Sequence, residues 1–352
     1  MARLPILTPT TSQHAVPQRQ HGGTDARGPA RWDFSTNSNA CGPCPTVLQA
    51  VQQADASRYP DATYTALRHA LADFHGVEPG QIVLAASASE AIQRMTAACV
   101  RLAVPGQGSS VSVPCPAYGD YAHAAHAWGW PVIHRPHGQP FVATASTLHW
   151  YCDPASPTGQ DMPSPTAQPW PRGVWVLDRA YHPLRLHGTC GWSADALNHV
   201  WQLWSPNKAL GLTGVRAAYL IAPANADGTL LRTLEALAPS WPIGAHGVAM
   251  LHAWTQPDTH TWLAASRDTL RHWHTEQLGQ LTQRGWTFLP SQTPFACGQP
   301  PHPLDLEWLH QRFGVRLRDT TSMGLPGHCR LSAQPPAAQA ALLHALDHHT
   351  HS

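Results

Sequence analysis

The stretch VWQLWSPNKALGLTGVR, residues 200–216, decides how this chain folds. It opens as a short apolar strand and then turns through Ser205, Pro206 and Asn207 to Lys208. Lys208 is the only lysine in 352 residues, and every other member of the 22 Lys+Arg is arginine. A chain that uses arginine everywhere else yet keeps one lysine suggests that arginine cannot serve there; a chance remnant of an arginine-biased composition is the alternative, and the neighbourhood of Lys208 has to decide. The lysine amine can lose its proton when desolvated and condense with a carbonyl, which a guanidinium does not do. Arg216, eight residues on, offers a planar fork to a phosphate. Ser205, three residues before, offers a hydroxyl. A lysine so flanked, at the end of a strand, suits an aldehyde that also carries a phosphate. In open α/β sheets ligands gather at the carboxyl ends of the strands.

Working outward from that stretch, apolar strands and helices alternate from about residue 46 to 235. Strands are expected at Ile82–Ala85, Val111–Val113, Leu148–Tyr151, Val174–Leu177, Val200–Leu203 and Ala217–Ile221. Helices are expected from Thr46, over Thr63–Phe74, from Ser89, and over Tyr118–Trp128. That alternation predicts an α/β domain with a largely parallel sheet. A long polar-amphipathic helix is expected over 257–284. Strands near 286–290, 315–318 and 328–332 and a helix near 336–347 then build a smaller α+β domain. Pro-rich runs at 135–140, 163–171 and 298–303 read as surface loops. Residues 1–32, rich in Pro, Gln, Gly and Arg, read as a mobile arm. The expected division is an N-terminal arm at 1–45 that packs with the small domain, a large domain at 46–250 and a small C-terminal domain at 251–352.

Composition excludes several classes. Net charge is +1 with 12% charged residues, so no basic stripe marks a nucleic-acid or anionic-membrane partner. No apolar run is long enough for a membrane-spanning helix, and no secretory signal is visible, so a cytoplasmic location with reduced thiols is expected. The eight cysteines are spread too widely for a disulfide scaffold. Cys41 and Cys44 have C-x-x-C spacing, but no thioredoxin-like strand leads into them and no second pair completes a zinc site. His348, His349 and His351 form a polar tail with no assigned role. No metal is expected.

Further residues fit the lysine's chemistry. Asp178 ends the strand Val174–Leu177; alone it would read as a helix N-cap, but beside such a lysine a carboxylate can keep a pyridine nitrogen protonated. Ser87, Ala88, Ser89 and Glu90 join a strand to a helix, where free backbone N–H groups and the helix dipole cradle a phosphate; Ser89 as a plain N-cap is the alternative. Tyr118 offers an aromatic face for ring stacking, or is core.

Together these residues resemble the fold-type I pyridoxal-phosphate enzymes, over about His21 to Arg330. The resemblance implies an aspartate-aminotransferase-like fold, with a mostly parallel seven-stranded sheet and a smaller α+β C-terminal domain. It makes Lys208 the Schiff-base lysine, Arg216 and Ser205 its phosphate partners, Asp178 the pyridinium partner and Tyr181 the contact to the ring oxygen. Ala88 and Ser89 fall on the phosphate turn and Tyr118 on the stacking aromatic. Tyr59, in the run Arg58 to Asp61, resembles the tyrosine that reaches the cofactor of a neighbouring subunit, which implies a homodimer. Ser156 stands where the family usually has the asparagine that contacts the ring oxygen.

His21, Gly22 and Gly23, followed by the run Asp33 to Asn39, resemble the opening of the cobalamin-pathway threonine-phosphate decarboxylases, close relatives of histidinol-phosphate aminotransferases. Arg318 and Arg330 resemble the family's substrate arginines, with Arg330 on the α-carboxylate and Arg318, with His21, on a distal phosphate; Asn37 joins them as a substrate contact. Arg316 alternates with Arg318 along the strand and should face away. The resemblance implies decarboxylation of L-threonine O-3-phosphate to an aminopropanol phosphate for the corrinoid side chain. Transamination of histidinol phosphate is the runner-up, and a pyridoxal-binding regulator or inactive paralogue is the non-enzymatic alternative.

Overall fold

The computed structural model describes residues 21–104, 109–136, 147–162, 164 and 172–349. In chain order it has β1 (Trp32–Asp33), α1 (Pro45–Gln52), α2 (Thr65–His75), β2 (Ile82–Ala85), α3 (Ala88–Leu102), β3 (Val111–Cys115), α4 (Gly119–Ala127) and β4 (Val132–Pro136). Then come β5 (Leu148–Cys152), β6 (Val174–Asp178), α5 (Ala194–Leu197), β7 (Trp201–Trp204), β8 (Ala218–Ile221), α6 (Gly228–Ala236) and α7 (Ala245–Trp254). The chain closes with α8 (Pro257–Thr282), β9 (Thr287–Phe288), β10 (Phe295–Gln299), α9 (Leu306–Phe313), β11 (Val315–Arg316), β12 (Arg318–Asp319), β13 (Cys329–Ser332) and α10 (Pro336–His349).

Seven strands form one sheet in the order β2-β8-β7-β6-β5-β3-β4. It is parallel except at β8, which runs antiparallel to both β2 and β7. All five residues of β5 are buried, as expected of a strand covered on both faces. The period-2 alternation of a strand divides the core between those faces. Ile82, Leu84, Tyr219 and Ile221 pack with Leu67, Met250 and Trp254 on one side. Val83, Ala85, Ala218 and Leu220 pack with Ile92, Met95 and Trp150 on the other. The second sheet is antiparallel, in the order β12-β13-β10-β9, and β1 pairs with β11 in parallel beside it.

The fold class is the expected one, and the differences are local. β4 was not anticipated and takes in part of a run read as loop; it is an edge strand of partly exposed residues ending at Pro136, so its apolar signal is weak. β3 continues through Pro114 to Cys115. β10 was missed because its sequence, FACGQ, lacks β-branched residues. Gly298 belongs there for lack of space: a Cβ would meet Phe288 at 2.4 Å. The expected strand at 315–318 is two short strands in different pairings, with Leu317 between them. α6 and α7 were not anticipated either. α8 is the expected long helix, burying Leu263, Leu270, His274, Gln277 and Leu281 at helical spacing. Residues 1–20, most of the proline-rich runs at 135–140 and 163–171, and His351 lie outside the described residues.

Candidate active site

A cavity of about 690 Å³ opens where β6 and β7 end. Its wall includes every candidate residue from the sequence except Tyr59. Lys208 sits in the turn after β7, and the path of its backbone is fixed from below. The Lys208 carbonyl accepts from the Asn39 N–H at 2.9 Å, the Ala209 carbonyl from the Asn39 side-chain amide at 3.0 Å and the Leu210 carbonyl from the Cys44 N–H at 2.9 Å. Gly211 has φ +69°, and a Cβ there would come within 2.5 Å of the Gly42 carbonyl oxygen. The Cys41–Cys44 segment is therefore the bed of the lysine turn. Cys44 is fully buried, and burial pushes the Cys41 thiol up to about 11, which disfavours a thiolate role for Cys41.

Asp178 is the last residue of β6 and is buried. Both its oxygens are held: Oδ1 accepts from the Ala180 N–H at 2.9 Å, and Oδ2 from the Tyr121 hydroxyl at 2.7 Å. Burial raises its pKa; the Tyr121 bond, the Ala180 N–H and the Lys208 charge oppose that rise. Tyr121 was not singled out in the sequence. It is fully buried, stacked on Trp150 at 4.8 Å, and also lines the cavity. Its signal was available, since it lies one helical turn from Tyr118 and so shares its face. The Lys208 ammonium nitrogen lies 5.4 Å from the centroid of the Tyr181 ring, and the Tyr181 hydroxyl accepts from the Asn37 amide at 3.3 Å.

The phosphate side is built around the N-terminus of α3. The Ser87 side chain caps the helix by accepting from the Glu90 N–H at 3.1 Å. The N–H groups of Ala88 and Ser89 precede any helical acceptor and remain available to an anion. Ser89 Oγ is 3.1 Å from the Tyr118 hydroxyl, which donates to Asp120 at 2.8 Å. Ser205 is buried, and among the described residues its hydroxyl has no hydrogen-bond partner; neither has the Asn37 carbonyl oxygen. Orphaned buried polar atoms in a cavity with Lys208 and Arg216 fit a polar, phosphate-bearing cofactor. Ser156, also buried, lines the same wall after β5.

The opposite wall belongs to the small sheet and the arm. Arg318 and Arg330 are direct cross-strand partners on β12 and β13, so their side chains leave the same face. They are 5% and 6% exposed, and burial first, then the Arg330 charge, lowers the Arg318 pKa. Arg316 points elsewhere, as expected, pairing with Asp25 at 2.8 Å. His21 reaches the cavity at the head of the arm. Tyr59 lies away from all of this, 77% exposed and stacked on Trp241 at 4.3 Å.

Among the described residues one group with metal-ligand chemistry lies outside the cavity: Asp153, His182 and Cys190. Two guanidiniums already serve it. Arg185 binds Asp153 at 2.9 Å, and Arg179 lies 2.8 Å from His182 Nε2, so a cation would meet two fixed positive charges.

The family model for aminotransferase class I and II matches residues 32–348. The chain belongs to that family. Its members work with pyridoxal phosphate, and this chain is a pyridoxal-phosphate-dependent member of the superfamily. It is 26% identical over 338 residues to a histidinol-phosphate aminotransferase of Thiobacillus denitrificans, covering 89% of this chain and 84% of that protein. It is 25% identical to the Haloquadratum walsbyi histidinol-phosphate aminotransferase, covering 85% and 81%. Among solved structures it is similar to L-threonine-O-3-phosphate decarboxylase from Porphyromonas gingivalis, with TM-score 0.76, 18% identity, and 91% and 99% coverage. It is also similar to the Sinorhizobium meliloti histidinol-phosphate aminotransferase in complex with pyridoxal-5'-phosphate, with TM-score 0.74, 21% identity, and 90% and 89% coverage. These two structural likenesses concern the fold.

Proposed function

We propose that the chain is a decarboxylase of L-threonine O-3-phosphate, yielding 1-amino-2-propanol O-phosphate for cobalamin synthesis. The observation that carries the reading is the arginine pair. Two buried guanidiniums directly across one strand pair repel, and their cost is offset by a ligand that brings two anions at once. A phosphorylated amino acid does so with its carboxylate and its phosphate. Histidinol phosphate carries only the phosphate, although the glutamate and 2-oxoglutarate of its transamination also bring two anions, so the pair supports the reading and the assay below decides it.

Pyridoxal phosphate, when bound, supplies the electron sink for the pair left on Cα when CO2 departs. The residues that would hold it are Lys208, Arg216, Ser205, Ala88, Ser89 and Tyr118, with Asp178 to favour a protonated ring nitrogen and Tyr181 and Ser156 to hydrogen-bond the ring oxygen, while Asn37 would serve as a substrate contact. Asp178 keeps a proton on that nitrogen, and the Tyr121 bond favours its ionised form. Arg330 holds the α-carboxylate until the Cα–C bond breaks, while Arg318 and His21 hold the distal phosphate. The Lys208 amine would deliver a proton to Cα.

The second reading, transamination of histidinol phosphate, is favoured by the names of the curated relatives. There Lys208 moves a proton between two carbons instead. One assay separates them: the proposal expects CO2 from L-threonine O-3-phosphate with no keto acid present. Glutamate formed from histidinol phosphate plus 2-oxoglutarate, without CO2 release, overturns it. We also propose a homodimer, on the exposed Tyr59–Trp241 pair; a monomeric mass in sedimentation contradicts that part.

A further inference from the structure

The segment joining the arm to the small sheet holds more bonds than a connection needs. Asp33 lines the cavity, yet its carboxylate is consumed locally. Oδ1 accepts from the Ser35 N–H at 2.8 Å, the Ser35 hydroxyl at 2.6 Å and the Thr36 N–H at 3.2 Å, and Oδ2 accepts from the Thr36 hydroxyl at 2.7 Å. Asp33 therefore builds a turn and is not the acid that meets substrate. The turn is clamped on both sides. The Phe34 N–H donates to the Arg316 carbonyl at 2.9 Å, and the Phe34 carbonyl accepts from the Ser332 N–H at 2.9 Å.

Ser35, 1% exposed, then meets both ends of the substrate wall. Its carbonyl accepts from Arg330 Nη2 at 2.9 Å. The same carbonyl is the floor under Gly22, where a Cβ would stand 2.2 Å from the oxygen and 2.7 Å from the carbon. Its hydroxyl accepts from the Gly23 N–H at 2.8 Å, and Gly23 has φ +94°. Gly22 and Gly23 are thus glycines for a reason: one permits contact with the Ser35 peptide, the other the bend that carries His21 over it. Farther along, Asp25 is paired with Arg316, and Arg27 with Glu307.

We infer that Ser35 is a positioning residue that couples the two anion subsites: docking of the arm that bears His21 and the aim of the Arg330 guanidinium are set by one peptide. Resting on the reading of a substrate with a carboxylate and a distal phosphate, this makes the two subsites cooperative. A phosphate that draws His21 and the arm onto Ser35 also steadies the carbonyl that orients Arg330. The carboxylate, once on Arg330, steadies the floor of the arm. Binding energy from the remote phosphate is thereby available where the carboxylate is held.

The test is an equilibrium cycle on the holoenzyme, followed by the cofactor's absorbance. Three anion-bearing amines are titrated, with ethanolamine as the reference that has neither anion and with absorbance read before turnover: L-threonine O-3-phosphate with both anions, L-threonine with the carboxylate alone, and O-phosphoethanolamine with the phosphate alone. In the parent protein the two-anion amine should bind more tightly than the two single-anion affinities combine to give, by about tenfold, within the usual range of coupling between sites. Ser35→Ala removes the acceptor for Gly23, and Gly22→Ala lifts the arm from the carbonyl. Each should bring the coupling factor close to one, while L-threonine alone binds within about twofold of the parent. An unchanged coupling factor in both variants, or equal losses on all three amines, overturns the inference. Two variants acting on opposite sides of the contact guard against one failing to fold. CO2 release is read separately: a holoenzyme that shows the coupling but releases no CO2 keeps Ser35's role and loses the decarboxylase reading.

Discussion

The two walls of the cavity are held in different ways. The cofactor wall is made of strand ends in a sheet covered on both faces, and its acidic group is already satisfied: both oxygens of Asp178 have protein partners. The wall formed by β12, β13 and the arm is held by a two-residue and a four-residue strand and by single turns, and it faces Arg330 with its like-charged neighbour Arg318. One wall is preorganised and nearly complete without ligand. The other carries an electrostatic cost that a ligand removes. On the proposed reading, chemistry is fixed where the scaffold is stiff, and substrate choice lies where two buried guanidiniums face each other across a strand pair.

The sharpest break in that comparison is at Lys208. Lys208→Ala should lower kcat by about 10³-fold or more, since the amine both anchors the cofactor and moves the proton. Steady-state kinetics at saturating pyridoxal phosphate checks it; a loss below tenfold would move the chemistry elsewhere. Next comes the other wall. Arg330→Gln should reduce kcat/KM for the phosphorylated amino acid by about 30-fold or more, as a charge-assisted contact buried with its ligand is worth about 2–5 kcal/mol. Cofactor affinity should stay within about twofold. A large drop in cofactor affinity would mean that the walls are not separate.

A smaller effect belongs to Tyr121. Tyr121→Phe removes one hydrogen bond to a buried carboxylate, worth about 1.5–3 kcal/mol, so a tenfold or greater fall in kcat is expected with KM nearly unchanged. The Asp178 pKa rises further without it, and the pH-dependence of the cofactor's absorbance should move upward. A spectrum that titrates as in the parent would leave Tyr121 as packing alone.

The last effect is on the scaffold. Burial, aided by the Arg179 charge, depresses His75 and His182 to about 3, and burial depresses His274 to about 4. In the unfolded chain each titrates near about 6.5. Between these values the unfolded chain binds more protons, so stability is full above about pH 6.5 and is lost as pH falls toward 4 and 3. The melting temperature at pH 5 should lie a few degrees below that at pH 7.5. A flat profile would contradict the burial of these rings.

Much of the cofactor wall was legible because it sits beside apolar strands. Asp178 and Ser205 are read off by finding where β6 and β7 end. Arg318 and Arg330 were legible as residues, but their pairing was not, since register between β12 and β13 depends on contacts distant in sequence. Tyr121 was hidden inside a helix whose chemistry was credited to Tyr118. The edge strand β4 is partly exposed and runs into His134, Arg135 and Pro136, and β10 mixes Gly and Cys with few large apolar residues, so neither shows the continuous apolar run that marks the buried central strands. Asp33 and Ser35 had been part of a resemblance only; their roles arise from backbone groups, which sequence letters do not reveal.

The most direct test of the account is borohydride reduction of the holoenzyme followed by peptide mass spectrometry, with and without saturating L-threonine O-3-phosphate. The resting protein should carry its pyridoxyl group on Lys208. With the substrate present that adduct should disappear from the chain, because the substrate's amine has taken the lysine's place. A pyridoxyl group found on the N-terminal amine alone, or a Lys208 adduct undiminished by the phosphorylated amino acid, would contradict it.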